Sequence, residues 1–344
     1  MLYQKRIPVR ADGMDTVRMG VIGVGHMGQY HANILAGMAG VEFVGVADTD
    51  SRRAGEIAAR HGVRCFDDAR QLLQEADAVC VAAPTNLHYR IASQALLSGV
   101  HVLVEKPMTR TVRSAERLAA LAEEKGLVLQ TGHVERFNGA VREIGKIVSS
   151  PRLIEARRLA PWSGRVQDVG VVLDLMVHDI DIVLGLVRSP LLDADAVGSM
   201  ILSPHEDVAS AILRFENGCI ANLTASRVTN EKIRTLSVSQ DDAYIFLDYS
   251  RQEIDVHRRL SQDYVLKREE LRYSVETTVE RVFVHNVNPL QQELTHFCDC
   301  VRGAVKPLVC GEDDVQTLRI ARRILDRIHK NLPDAAALPC EDEE

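Results

Sequence analysis

The sequence predicts an α/β protein with an N-terminal doubly wound parallel sheet and a C-terminal α+β domain carrying a mostly antiparallel open sheet. Three observations carry that prediction. From Val17 onward, short β-rich runs alternate with helical stretches; a glycine-rich turn follows the first run; and after about residue 134, strand-like runs succeed one another with little helix between them. Strands that alternate with helices and return to the same edge make a parallel sheet covered on both faces. The runs are nearly continuously apolar, as strands buried on both faces should be.

The N-terminal runs are VRMGVI (17–22), VEFVGVAD (41–48), DAVCVAAP (77–84), HVLVEKP (101–107) and LVLQTGH (127–133). Helical segments between them include Ser51 to His61, Asn86 to Ser98 and Val112 to Lys125, with Ser51 and Asn86 at N-cap positions and Gly62, Gly99 and Gly126 at C-cap positions. In the second half, RLIEARRLA (152–160) reads as a strand and Gly170 to Val187 as a long helix. Asn217-Gly218 between two alternating runs is a strong hairpin signal. Further β-like runs are RTLSVSQ, AYIFLDY, EIDVHRR and RVFVHNV; two helices follow, Pro289 to Val301 and Asp313 to Lys330. The predicted organisation is therefore a leader (1–16), a dinucleotide-binding domain (17–133), a substrate and oligomerisation domain (134–310), a C-terminal helix (311–332) and an acidic tail (333–344).

Composition narrows the function. With 41 Lys plus Arg against 48 Asp plus Glu, the net charge of −7 argues against a general nucleic-acid binder. The longest apolar stretch, Val169 to Val187, is interrupted by Asp174, His178, Asp179 and Asp181, so no membrane span is predicted. The first sixteen residues have neither a continuous apolar segment nor a small-residue cleavage site, which reads against a secretory signal. Seven scattered cysteines then read as reduced cytoplasmic thiols; only Cys298 and Cys300 are close enough to suggest a metal, and no metal site is predicted.

GVGHMG places Gly23, Gly25 and Gly28, with His26 and Met27 between the last two, directly after the first strand. The first glycine permits the tight turn, the second lets a pyrophosphate approach the backbone, and the third allows helix and strand to pack closely. The helix N-terminus then presents free N–H groups to the phosphates. Asp48, twenty residues past Gly28 at the tip of the second strand, is placed to accept bonds from ribose hydroxyls and to repel a 2′-phosphate. NAD is favoured over NADP, although Arg52 and Arg53 are near enough to accept such a phosphate.

Glu105, Lys106 and Pro107 stand at the carboxyl end of a buried strand, where ligands of open α/β sheets gather. A lysine there can hold a substrate oxygen and stabilise developing charge; the plainer alternative is a solvated loop start. In VVLDLMVHDIDIVLGLV, Asp174, His178 and Asp181 fall at i, i+4 and i+7 on a helix that is otherwise apolar nearly all round. Burying unpaired charge is costly, so the stripe should face a polar cavity or fixed partners, while Asp179 lies off that face and, like Asp181, can serve structure. His178 is suited to taking a hydroxyl proton near neutral pH. Asp174 can orient a substrate hydroxyl, pair with Lys106, or bias the histidine.

Together these motifs resemble the Gfo/Idh/MocA oxidoreductase family, from GVGHMG through APTNLHYRIASQALLSGVHVLVEKP and DLMVHDID to NPLQQELTHF. The resemblance implies catalytic roles for Lys106, Asp174 and His178 beside a nicotinamide. It also implies cofactor contacts from Ala83, Pro84, Thr85, Asn86, His88 and Glu105, a cis Lys106–Pro107 bond, and a homodimer or homotetramer. A narrower likeness lies in QTGHVERFNGAV and RLAPWSGRVQDVGVVLDLMVHDIDIVL. It is to the branch that oxidises the 3-hydroxyl of UDP-N-acetylglucosamine for a partner aminotransferase in lipid A synthesis. Trp162 and Arg165, in the loop before the apolar helix, are candidates for the substrate rim, with a plain surface loop as the alternative, and His133 and Arg136 are further candidate substrate contacts. Two other readings stay open: an NAD(P)-dependent dehydrogenase of inositol or a free sugar, and a nonenzymatic protein that responds to NAD or a sugar nucleotide.

Overall fold

The computed structural model describes residues 16–164, 169–260 and 276–331. Most of the leader, the acidic tail and Arg165 lie outside the described residues. The described residues form two compact units: one holds those up to Phe137 together with Asn288–Arg319, the other those within Asn138–Val287 and from Ile320 to Asn331.

In the first unit β1 (Val17–Ile22), α1 (His26–Leu35), β2 (Val41–Ala47), α2 (Ser51–His61), β3 (Arg64–Phe66), α3 (Ala69–Glu75), β4 (Ala78–Val81), α4 (Thr85–Leu97), β5 (His101–Val104), α5 (Val112–Lys125) and β6 (Leu129–Thr131) alternate. Their six strands form one sheet in the order β3-β2-β1-β4-β5-β6, paired in parallel throughout. The edge strand β3 and the helix α3 fall between the runs picked out in the sequence, since β3 has three residues of which only Phe66 is fully buried. Two caps sit earlier than predicted. Asp50, not Ser51, caps α2 by accepting the Arg53 amide at 3.0 Å, and α4 begins after Pro84 with no side-chain cap, so Asn86 is already helical. Gly62 and Gly126 end α2 and α5 in the left-handed conformation, while Ser98 ends α4 and Gly99 follows it.

The second unit opens with α6 (Gly139–Ile147) and β7 (Pro151–Leu159). The helix predicted from Gly170 to Val187 divides into a π turn (Val172–Met176) and α7 (Val177–Val187). There follow β8 (Leu191–Ser199), β9 (Val208–Phe215), β10 (Ile220–Ser226), β11 (Ile233–Gln240), β12 (Ala243–Asp248), β13 (Glu253–Leu260) and β14 (Glu276–Val282). The sheet order is β14-β13-β12-β11-β7-β10-β9-β8, with β7 and β10 parallel and their neighbours antiparallel. The Asn217-Gly218 turn joins β9 to β10 as predicted. RVFVHNV contributes only Arg281 and Val282 to a strand; from Phe283, which is 79% exposed, the chain leaves the sheet.

Alternation along the strands gives this sheet an inner and an outer face. Ala211, Leu213, Leu223, Leu236 and Ile245 are buried on the inner face, against which the π turn, α7 and α6 pack. Ile212, Ile220 and Tyr244 remain about two-fifths exposed on the other face.

Contacts divide the chain differently from the predicted 134–310 domain. Residues 134–137 form a 3-10 turn in the first unit, and α8 (Pro289–Val301) belongs there too, as does the first part of α9 (Gly311–Asn331). The reason is the stripe Leu294, Phe297, Cys298 and Val301, spaced for one helix face, which joins Val17, Met19, Val21, Leu35 and Leu103 in a single apolar cluster. Asn288 caps α8 by accepting the amides of Leu290 and Gln291. Among the described residues no helix is long and apolar enough to cross a membrane.

Candidate active site

β1 delivers the chain into a turn built on two close approaches. A Cβ on Gly23, which sits at φ +87°, would lie 2.7 Å from the carbonyl of Ala82, and one on Gly28 would lie 1.9 Å from the Gly23 oxygen. Only glycine lets α1 start this tightly against the strand ends. Gly25 differs: a Cβ there meets nothing within 4 Å. The backbone at Gly25 is therefore open to an incoming group, while α1 has no side-chain cap and no acidic residue in its first turn. A helix start left in that state suits a phosphate. His26 is exposed and stands edge-on to Tyr30 at 5.0 Å; Met27 is half-buried. α4 has the same uncapped, acid-free start, with Ala83, Pro84, Thr85 and Asn86 leading into it. These features fit a dinucleotide across the strand ends.

Asp48 stands just past β2 with its carboxylate engaged by three donors. Oδ2 accepts the Val24 amide at 2.7 Å; Oδ1 accepts the Asp50 amide at 2.8 Å and Arg53 Nη2 at 2.8 Å. Burial works against ionisation, but the Arg53 guanidinium and the two amides outweigh it and hold the carboxyl below the ordinary range. The Val24 contact ties Asp48 to the glycine turn itself. Arg53, the residue with the best claim on a 2′-phosphate, is occupied by Asp48.

Glu105 and Lys106 follow β5. Glu105 is buried and its Oε1 lies 2.8 Å from Nε2 of the fully buried His31 on α1. Burial raises the Glu105 carboxyl, and His31, Lys106 and His88 together pull it below its usual value. Lys106 is half-buried, and its bond to Pro107 is cis, as the resemblance implies. His88, read from the sequence as a cofactor contact, is 1% exposed and bridges the carbonyl oxygens of Pro107 (2.9 Å) and Ala83 (2.8 Å). Its part is to fix those two backbones relative to each other. His133 is likewise buried, 2.6 Å from Asp314 on α9, and its carbonyl accepts the amide of half-buried Arg136.

In the second unit, Asp174 lies in the π turn and His178 is the second residue of α7. The Val177 amide bonds to the Val172 oxygen, the i→i−5 link that defines the wider turn. Residues four apart on an α-helix are offset by about 40°; the wider turn brings Asp174 and His178 closer to in line. Asp174 is half-buried and the imidazole 9% exposed, so the stripe sits at the edge of the core. Asp179, off this face as predicted, is held by both arms of the buried Arg158 guanidinium at 3.0 and 2.8 Å. Asp181 is buried. Trp162 is 37% exposed, with the Arg227 guanidinium 4.9 Å above its ring.

Thus the structure brings the glycine turn, Asp48 and Ala83 together in the first unit, joins Glu105 and His88 to the Lys106 loop, and places Asp174 and His178 four residues apart across the π turn and the start of α7 in the second. His31, Glu206, Asp207 and Arg227 support these residues and were missed in the sequence. His31 acts over 74 residues to reach Glu105, Glu206 over 34 to reach Val172, and Arg227 over 58 to reach Val169, separations that no local pattern signals.

Residues 17–133 match the family model described as the oxidoreductase family's NAD-binding Rossmann fold, and residues 139–245 match the GFO/IDH/MocA C-terminal domain. The UDP-N-acetylglucosamine 3-dehydrogenase of Acidithiobacillus ferrooxidans is 38% identical over 244 residues, covering 71% of this chain and 77% of that protein. The scyllo-inositol 2-dehydrogenase (NAD(+)) of Bacillus subtilis is 25% identical over 338 residues, 92% of this chain and 95% of that one. A solved structure of the A. ferrooxidans enzyme superposes with a TM-score of 0.84 at 32% identity, covering 92% of this chain and 99% of the other. The first unit's glycine-turn domain is thus an NAD-binding Rossmann domain. Replacing Asp48 by Ser removes the charge that opposes a 2′-phosphate and releases Arg53. The ratio of NADP to NAD affinity, read by fluorescence titration, should rise about tenfold or more, ~1.4 kcal/mol. An unchanged ratio contradicts this role for Asp48.

Proposed function

The chain belongs to the Gfo/Idh/MocA oxidoreductase family, and we propose that it oxidises the 3-hydroxyl of UDP-N-acetylglucosamine to the 3-keto sugar, using NAD. The observation that carries this reading is the Asp174–His178 stripe on an otherwise apolar helix, in a chain 38% identical to an enzyme of that name.

The glycine turn, Asp48 and the uncapped start of α4 would hold NAD, whose nicotinamide would supply the hydride acceptor for the carbinol carbon. The chain's own residues handle the proton and the charge. His178 takes the hydroxyl proton as general base. Lys106 holds the same oxygen and offsets its developing negative charge. Asp174, in line with His178, fixes the ring and the sugar hydroxyl. Trp162, backed by Arg227, offers an aromatic face at the substrate rim, and Arg136 and Arg165 offer cations to the diphosphate. His133 contributes by holding the backbone from which Arg136 projects.

A 3-ketone is the natural substrate of an aminotransferase, so we assign the product to a partner enzyme that makes a 3-amino sugar for lipid A, in the cytoplasm. The exposed Ile212, Ile220 and Tyr244 on the outer sheet face support a homodimer or homotetramer. Sedimentation should give two or four chains, and a monomer overturns that assembly.

The near full-length match to an inositol dehydrogenase favours a second reading, oxidation of inositol or a free sugar. UDP-sugars and free polyols tested with NAD⁺ and NADP⁺, with 2-oxoglutarate present to recycle any retained cofactor, separate the two. The proposal requires reduction with UDP-N-acetylglucosamine and fails if only a free polyol reacts. A nonenzymatic binding protein does not fit an oxidoreductase. His178→Ala should lower turnover by about 10²–10⁴-fold with NAD affinity intact. Normal turnover in that variant removes His178 from the reaction.

A further inference from the structure

Gly170 to Val177 is gripped from outside the helix. Glu206, on the segment between β8 and β9, accepts the Val171 amide on its backbone oxygen at 2.9 Å and the Val172 amide on Oε1 at 3.0 Å. Two of the helix's first amides are thus satisfied by one distant residue, where Val171, in the cap position, supplies no side-chain bond. The carboxyl is 3% exposed, and a Cβ on Gly170 would lie 2.1 Å from both of its oxygens, so it fills the space that glycine leaves.

The segment that carries Glu206 is itself fixed. Asp207, fully buried, accepts the amides of Ile201 (2.7 Å), Leu202 (2.6 Å) and Ser203 (3.0 Å), together with Arg227 Nε (2.7 Å). Arg227 Nη1 then donates to the Val169 oxygen at 2.9 Å. The chain is therefore clamped at 169 by Arg227 and at 171 and 172 by Glu206.

Val172 is the pivot. Its amide is held by Glu206, and its carbonyl accepts the i→i−5 bond from Val177 that makes the turn a π turn. Desolvation of the Glu206 carboxyl is a standing cost, opposed by the Val172 amide and by His205 and His329 nearby. If the amide were released, the turn could close with ordinary i→i−4 bonds, and Asp174 and His178 would take the offset of about 40° that residues four apart have on an α-helix. Asp174 would leave the line of His178.

We propose that Glu206 is a positioning residue for the oxidation: its grip on Val172 holds the π turn that keeps Asp174 in line with His178. This rests on the reading of Asp174 and His178 given above. A cap that served stability alone would leave the chemistry and the imidazole environment unchanged once the protein is folded.

Three variants separate the cases. Glu206→Gln keeps the acceptor, Glu206→Ala removes it, and Gly170→Ala pushes the carboxyl away without removing it. Each is assayed for kcat, for KM of UDP-N-acetylglucosamine, for NAD affinity, and for the NMR signals of the His178 ring in isotope-labelled protein without substrate. Glu206→Ala and Gly170→Ala should lower kcat about 10- to 100-fold, as sub-ångström to ångström misplacement does, with KM and NAD affinity nearly unchanged and the His178 signals shifted. Glu206→Gln should restore both kcat and the wild-type ring signals. Gly170→Ala added to Glu206→Ala should cost nothing more, because the Cβ then has room. Folded Glu206→Ala with wild-type kcat and unshifted ring signals overturns the proposal, as does Glu206→Gln as impaired as Glu206→Ala. If Glu206→Ala does not fold, Gly170→Ala is judged by the same criteria. If wild-type protein oxidises no UDP-sugar, the functional reading fails, and the His178 signals alone decide the role of Glu206.

Discussion

Asp174 and His178, the pair proposed to handle the proton, are carried on a helix that is otherwise committed to hydrocarbon, and much of the second unit answers that constraint. Val171, Val172, Met176, Val177 and Ile180 are buried, so the helix cannot turn to relieve a misplaced polar group. Every charge near it therefore needs a fixed answer. Asp179 has both arms of Arg158, and Asp207 has Arg227 and three backbone amides. Breaking one partner of a buried pair commonly costs about 3–5 kcal/mol, because the other charge is left behind. Such pairs define the helix's rotation more sharply than apolar contacts can.

The first unit solves a different problem, which is to leave backbone open beside tightly packed backbone. Gly23 and Gly28 press the turn against α1 and the β4 end, while Gly25 stays clear. Asp48 locks the turn through the Val24 amide, and the His88 ring locks the Ala83 loop to the Pro107 loop. Burial pushes Cys298 up to about 12 and Cys300 to about 11, so both behave as small apolar side chains with their protons in place.

What the sequence revealed follows from the range of each interaction. The glycine turn, Asp48, Glu105-Lys106-Pro107, the Asp174–His178 stripe and the Asn217-Gly218 turn are local patterns, and each stands in the element where local reasoning places it. The strand β3 escaped because three residues carry too little periodicity to register. The docking of α8 escaped because its apolar stripe states that it must be buried but not against which sheet. The π turn and Glu206 escaped together, since a widened turn inside an apolar run depends on an acceptor 34 residues away. His88 and His133 were visible as polar residues near the motifs, but only the fold shows that their rings are spent on Pro107, Ala83 and Asp314.

In the proposed reaction one alcohol carbon, C3 of a UDP-linked N-acetylglucosamine, gives up its hydrogen as hydride while a residue of the apolar helix removes the hydroxyl proton. UDP-N-acetylglucosamine deuterated only at C3 tests it most directly, by mass spectrometry of the nicotinamide after a single turnover. The reduced nicotinamide should carry the deuterium, and the labelled sugar should react more slowly than the unlabelled one. Deuterium retained at C3 while the nicotinamide is reduced would contradict it.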